Sequence, residues 1–196
     1  MASRRRPGVY NVRLMSTLTP DQAALILATT GLPPLNAEHE VTKRVIAAIR
    51  AEKADYRPDS IVRSAIDIAW HIVASETRFL EAVASGAFDF SGAKRPESIR
   101  TPADVVDWYS ERFAKDVDRL KEMTGNQLIK TIDFRGLFHF PAVVYVQIGL
   151  NHSIHHRGQL SMYLRPMGAK VPSIYGESYD ARETREAREK AKASSG

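Results

Sequence analysis

Asn151-His152-Ser153-Ile154-His155-His156-Arg157-Gly158-Gln159-Leu160 carries three of the chain's six histidines. It lies in a long apolar segment that Pro141 opens and that runs to about Leu164, before Pro166 and Gly168 stop it. Read as a helix, the segment puts His152 and His156 on one face, about one turn apart. Two neutral imidazoles so placed can grip a divalent cation when another element supplies further ligands. His155 follows His152 by three residues, so helical geometry also permits a His152/His155 pair. The glutamate of His-Glu-x-x-His is missing, and with it the built-in base of that type of metalloprotease.

The rest of the chain reads as more helices. Thr19-Pro20-Asp21-Gln22 offers an N-cap threonine with proline at the first helical position. Gly31 and Pro33-Pro34 end or kink that segment, and Val41, Val45, Ile46 and Ile49 resume an apolar stripe at helical spacing. Ser64-Ala65-Ile66-Asp67 resembles a capping box with aspartate in place of glutamate, although Ser60 offers an earlier start, and the helix runs to Gly86. Thr101-Pro102-Ala103-Asp104 opens a third stripe through Val105, Trp108, Tyr109, Phe113, Val117 and Leu120, ending near Gly125. The three aromatics of that stripe read as core. Residues 126–140 are apolar without clear period and read as a crossover with a short extended or helical piece. Four long amphipathic segments and no convincing strand predict an all-α four-helix bundle with a crossover before the last helix.

A third metal ligand has to come from another helix, and His71, in Ile68-Ala69-Trp70-His71-Ile72-Val73, is the leading candidate. A buried imidazole needs partners for both nitrogens, which a metal and one hydrogen bond would supply. The alternative is a core histidine bonded to a carbonyl. Tyr145 and Gln159 lie roughly on the His152/His156 face, placed to line a pocket or to hold an imidazole by a hydrogen bond. His139, at the mouth of the last helix, is a further pocket candidate, and His39 reads as a surface residue. Glu76 lies about 140° round the helix from His71 and is a poor co-ligand. Arg157 is expected to pair with a carboxylate or hold an imidazole, and Gly158 to admit a neighbouring helix closely.

Composition narrows the chemistry. The 196 residues include no cysteine, so disulfides, thiolate ligands and cysteine nucleophiles are out, and a metal must be held by His, Asp, Glu or water. The net charge of +5 owes most to Arg4, Arg5, Arg6 and Arg13; without them the body is close to neutral. Aromatics do not interleave with basic residues, which argues against nucleic acid as a partner. No apolar run reaches the roughly 20 residues that span a bilayer. A cytoplasmic protein without a membrane partner is expected. Residues 1–18 read as a disordered basic extension, 19–178 as a single bundle domain and 179–196 as a charged tail. Among metals, zinc or nickel leads, with iron and manganese also compatible with the donors.

Asp55-Tyr56-Arg57-Pro58, Ala69-Trp70-His71-Ile72 and the Asn151–Leu160 stretch, followed by Tyr163-Leu164-Arg165, Gly168 and Ile174-Tyr175-Gly176, together resemble the DinB family. The likeness runs from about Thr19 to Ser178. It implies a four-helix bundle with a three-histidine metal site, which falls here on His71, His152 and His156 and leaves His155 as a neighbour. It also implies a homodimer and a small-molecule substrate. Activities known among relatives imply a metal-dependent enzyme: a thiol-dependent S-transferase using a low-molecular-weight thiol, or a metal-dependent hydrolase. A non-catalytic metal- or ligand-binding bundle is the remaining expectation.

Overall fold

The start signal at Thr19 is used as its residue types dictate. Thr19 Oγ1 accepts from the Gln22 amide while the Gln22 side chain accepts from the Thr19 amide, and Pro20 takes the first helical position. In the computed structural model, which describes residues 18–91 and 94–194, this opens α1 (Pro20–Ile26). The proposed basic extension lies outside the described residues apart from Leu18.

Pro33 and Pro34 kink the chain without ending the helix. A π-helical turn, Leu27–Gly31, joins α1 to α2 (Leu32–Ala47), and the Leu32 amide bonds back to the Leu27 carbonyl. The prolines lack N–H donors, and Thr29 and Thr30 turn their hydroxyls onto the Leu25 and Ile26 carbonyls at 2.7 and 3.0 Å. Widening the turn absorbs the mismatch. A short 3-10 turn, Ala51–Lys53, follows.

Helix α3 (Ala65–Ser85) is capped by Ser64, whose Oγ accepts from the Asp67 amide, and ends at Gly86 in the left-handed conformation, φ 85°. Helix α4 (Pro102–Lys121) begins with a complete Thr101/Asp104 capping box. Helix α6 (Ala142–Leu164) completes the bundle. α3 and α6 share the most extensive contact; α3 also packs on α4, and α2 packs on both α4 and α6. His71 faces His156 and Phe79 faces Gly149, so α3 and α6 run antiparallel. Tyr109 and Phe113 are buried and Trp108 partly so, as their spacing predicts.

The crossover contains both kinds of piece. A second capping box, Thr124 with Gln127, opens the one-turn α5 (Gly125–Leu128). Gly125 is needed there, since a Cβ would fall within 2.2 Å of the Pro20 carbonyl oxygen. Strands β1 (Thr131–Phe134) and β2 (Phe138–Pro141) then form an antiparallel hairpin with Phe134 opposite Phe138. The extended piece expected in the crossover is thus a two-stranded hairpin, and the rest of the domain keeps the all-α architecture. Arg135 and Gly136 turn the hairpin at φ 54° and 68°, and the Asp133 carboxylate accepts from the Gly136 amide at 3.0 Å. Helix α7 (Tyr179–Ala193) has no buried residue. Among the described residues, no helix is long and apolar enough to cross a membrane.

Candidate metal centre

The rotation of α3 decides where His71 points, and it is set at the helix start. Ser64 Oγ bonds Asp67 Oδ2 at 2.7 Å, and Arg95 Nε reaches Asp67 Oδ1 at 3.2 Å. Seven residues after its cap, His71 faces α6. There His152 and His156, one turn apart, meet it. The ring centroids of His71 lie 5.0 and 4.5 Å from those of His152 and His156, which are 4.4 Å from each other. One nitrogen from each ring can be chosen so that all three lie within 4.8 Å of one another, and all three residues are half-buried. Among the described residues they are the cluster of His, Cys, Asp or Glu able to hold a metal ion.

Their donor atoms fit a cation. His71 Nε2 and His156 Nε2 are 3.2 Å apart. Tetrahedral zinc with Zn–N bonds of about 2.0–2.1 Å would separate two ligand nitrogens by about 3.3 Å. His156 Nδ1 donates to Gln159 Oε1 at 2.8 Å, which leaves its Nε2 bare, and His71 Nδ1 lies 3.4 Å from Ser75 Oγ. His152 Nδ1 is buried without a hydrogen-bond partner. Three imidazoles whose ring nitrogens approach one another in this way can hold a divalent ion.

The electrostatics keep those lone pairs free. Burial, followed by the charge of Arg63, pushes the His71 imidazole down to about 4. Burial, then His156 and His155, pushes His152 down to about 4 as well. Burial lowers His156 too, although its bond to Gln159 acts the other way. All three are therefore neutral at pH 7, the form that ligates metal.

The other sequence candidates sit elsewhere or act differently. Gln159 is in place against His156, and its amide nitrogen lies 3.1 Å from Nε2 of the exposed His155. The Tyr145 hydroxyl is committed to the hairpin, donating to the carbonyls of Ile132 at 2.9 Å and Phe138 at 3.2 Å. His139 lies exposed on β2, its Nε2 2.8 Å from Asp133. His39, read from sequence as a surface residue, is instead buried, stacked on Phe113 with ring centroids 3.7 Å apart and tilted against Tyr109. Gly158 has nothing within 4 Å of where a Cβ would sit, so it admits no neighbouring helix; Gly149 does, since a Cβ there would come within 2.7 Å of Phe79 Cβ.

A buried polar network also joins α6 to its neighbours; sequence reasoning expected Arg157 to pair with a carboxylate, as it does, but missed the bond between Glu76 and Tyr109. Arg157, 1% exposed, pairs with Glu38 Oε2 at 2.6 Å, donates to Thr42 Oγ1 at 3.2 Å and to the Tyr175 hydroxyl at 2.8 Å. Glu76, fully buried, accepts a hydrogen bond from the Tyr109 hydroxyl. Burial raises the Glu76 carboxyl, and burial next to Glu76 drives the Tyr109 hydroxyl well above its usual range. The signal in the sequence was the phase of Glu76. It sits three residues from both Val73 and Phe79, within the apolar stripe of α3.

Comparisons with known proteins agree with this architecture. The family model described as the DinB family matches residues 32–189, which extends beyond the bundle into α7. The uncharacterized Bacillus subtilis protein YjoA is 27% identical over 67% of this chain and 85% of its own length. A second uncharacterized protein of that bacterium, YrdA, is 30% identical over 56% of this chain and 64% of its own. The crystal structure of YjoA, a DinB-like protein, superposes with a TM-score of 0.61 at 24% identity, covering 74% of this chain and 96% of that one. A DinB-like protein from Bacillus cereus ATCC 10987 superposes with a TM-score of 0.64 at 25% identity, covering 74% and 95%. With most of its length matched by the family model and its helices laid out as in these structures, the chain belongs to the DinB family.

Proposed function

We propose that this protein is a divalent-metal-dependent enzyme, and specifically a thiol-dependent S-transferase acting on a small electrophile. The carrying observation is the 3.2 Å approach of His71 Nε2 to His156 Nε2, with His156 Nδ1 tied to Gln159. His71, His152 and His156 would hold the ion, and the nitrogen-only donor set suits zinc or nickel. Three protein ligands leave a position for a small molecule. A divalent ion there supplies the acidity that turns a bound thiol into a nucleophile near neutral pH. The protein's own residues do the rest. The imidazoles stay neutral, Ser75 and Gln159 hold two of them in place, and Arg63 adds positive charge that favours an anionic sulfur.

The thiol reading is preferred over hydrolysis because of what surrounds the triad. The hydrogen-bond partners of the imidazoles are a serine and an amide, and Glu76, the buried carboxylate of α3, is engaged by the Tyr109 hydroxyl. No side chain poised to take a proton from an attacking water is among those partners, whereas a thiol is intrinsically far more acidic than water and would ionise at the ion with its proton released to solvent. The chain has no cysteine, so the sulfur would come from a cosubstrate.

The first test is elemental analysis of wild type and His152→Ala, purified without added metal. About one equivalent of metal per chain in wild type, and a loss of about tenfold or more in the variant, is the expected outcome. The second adds free cysteine and monochlorobimane and follows conjugation by fluorescence, expected only in the metal-loaded wild type. Metal bound without conjugation, alongside hydrolysis of a p-nitrophenyl ester, would overturn the transferase reading in favour of a hydrolase. No metal in wild type, even after incubation with zinc, nickel and manganese, would overturn the site.

A further inference from the structure

His155 is the one histidine of the Asn151–Leu160 stretch outside the triad, and its surroundings give it a role. It lies exposed on α6, one residue before His156 and four before Gln159. The Gln159 amide bridges the two rings, with Oε1 2.8 Å from His156 Nδ1 and Nε2 3.1 Å from His155 Nε2. An amide offers an acceptor at one end and donors at the other, so its orientation couples the rings. As placed, His155 Nε2 accepts from the amide, the carbonyl end accepts from His156 Nδ1–H, and His156 Nε2 is left as a bare lone pair. Turned over, the amide would donate to His156 Nδ1 and force the proton onto Nε2. That proton would sit in the 3.2 Å gap to His71 as an ordinary hydrogen bond, where a ligand lone pair is needed.

Among the described residues, no further side-chain hydrogen bond fixes the amide. Gln159 is exposed, and both of its hydrogen bonds go to these two histidines. We propose that His155 is a positioning residue of the metal centre. Acting through the Gln159 amide, it sets the tautomer in which His156 presents Nε2, and it strengthens metal binding without being a ligand. The inference rests on the metal-site reading above and extends it to a residue that touches neither ion nor substrate.

A four-way comparison of full-length wild type, His155→Leu, Gln159→Glu and the double variant tests it with two readouts. Long-range nitrogen–proton NMR of the metal-free protein near neutral pH reports which His156 nitrogen carries the proton. Competition with a chromophoric chelator reports zinc affinity. Wild type should show the Nδ1–H tautomer. His155→Leu, at an exposed position, should keep the fold, show mixed tautomers and bind zinc about tenfold more weakly, as for loss of an outer-shell partner. The double variant should recover both, because a carboxylate at 159 can only accept and has no wrong orientation. A simple packing role for His155 would not be rescued this way. Wild type that binds zinc, with tautomer and affinity unchanged in His155→Leu or unrestored in the double variant, overturns this inference alone. Wild type that binds no zinc overturns the metal-site reading and this inference with it.

Discussion

Buried ionisable side chains make the sharpest statements at the scale of single residues. Asp116 on α4 is almost wholly enclosed, with Oδ2 unpartnered and Arg119 no closer than 3.9 Å. Burial, aided by the charge of Glu81, pushes its carboxyl up to about 7. In the unfolded chain the group titrates near 3.9, so between roughly pH 4 and 7 the folded state binds more protons and this group's contribution to stability falls as pH rises. Asp116→Asn should therefore gain on wild type across that window, by up to about 4 kcal/mol at pH 8 relative to pH 4. Urea unfolding of both proteins at the two pH values checks it; a difference that does not change with pH would show that the charge is not confined. The His39 imidazole shows the opposite case, pushed down to about 4 by burial and then by Lys43. Its contribution is complete above the unfolded value of about 6.5 and is lost as pH falls toward 4.

Among the helices, two glycines on α6 have opposite uses. Gly149 lets α3 approach until Phe79 fills the space where a Cβ would stand, while Gly158 faces nothing within 4 Å. Gly149→Ala should destabilise by about 1–3 kcal/mol through overpacking. Gly158→Ala should stabilise by up to about 1 kcal/mol through helix propensity. Thermal unfolding midpoints that move the same way in both variants would contradict the assignment. The same contrast shows what could be read from sequence. The long helices were legible because caps and apolar period agree, as at Thr19, Ser64 and Thr101. The spacing of His152 and His156 placed them on one face, the sequence offered His71 as the leading third ligand, and the structure brings the three together across the helix pair. The hairpin escaped because each strand is four residues long, too short for alternation to stand out. A glycine's neighbour is a tertiary fact, so period alone could not choose between Gly149 and Gly158. His39 was misread although its phase was available: it lies four residues after Leu35 and seven before Ile46, both buried on the same helix.

For the whole molecule, Arg157 is the tie between parts that are distant in sequence. It joins α6 to Glu38 and Thr42 on α2 and to Tyr175 in the segment beyond the bundle. Arg157→Met should cost about 3 kcal/mol, since it strands Glu38 in a mostly enclosed position. Tyr175→Phe removes one neutral partner and should cost only about 1 kcal/mol. Denaturant titration separates the two, and equal losses would mean that the guanidinium's worth lies in the Tyr175 bond alone.

The division of the three imidazoles between α3 and α6 also sets an order of events. His71 and His156 are 85 residues apart in the chain. At a synthesis rate of about 5–20 residues per second, roughly 4–17 s separate the appearance of one from the other. The three-donor set comes into being only when the last bundle helix has docked. A nascent chain therefore offers passing ions at most the weaker pair or a single ring. The full site is a property of the finished molecule, and an ion that uses all three donors can enter only after the last bundle helix has been made and docked.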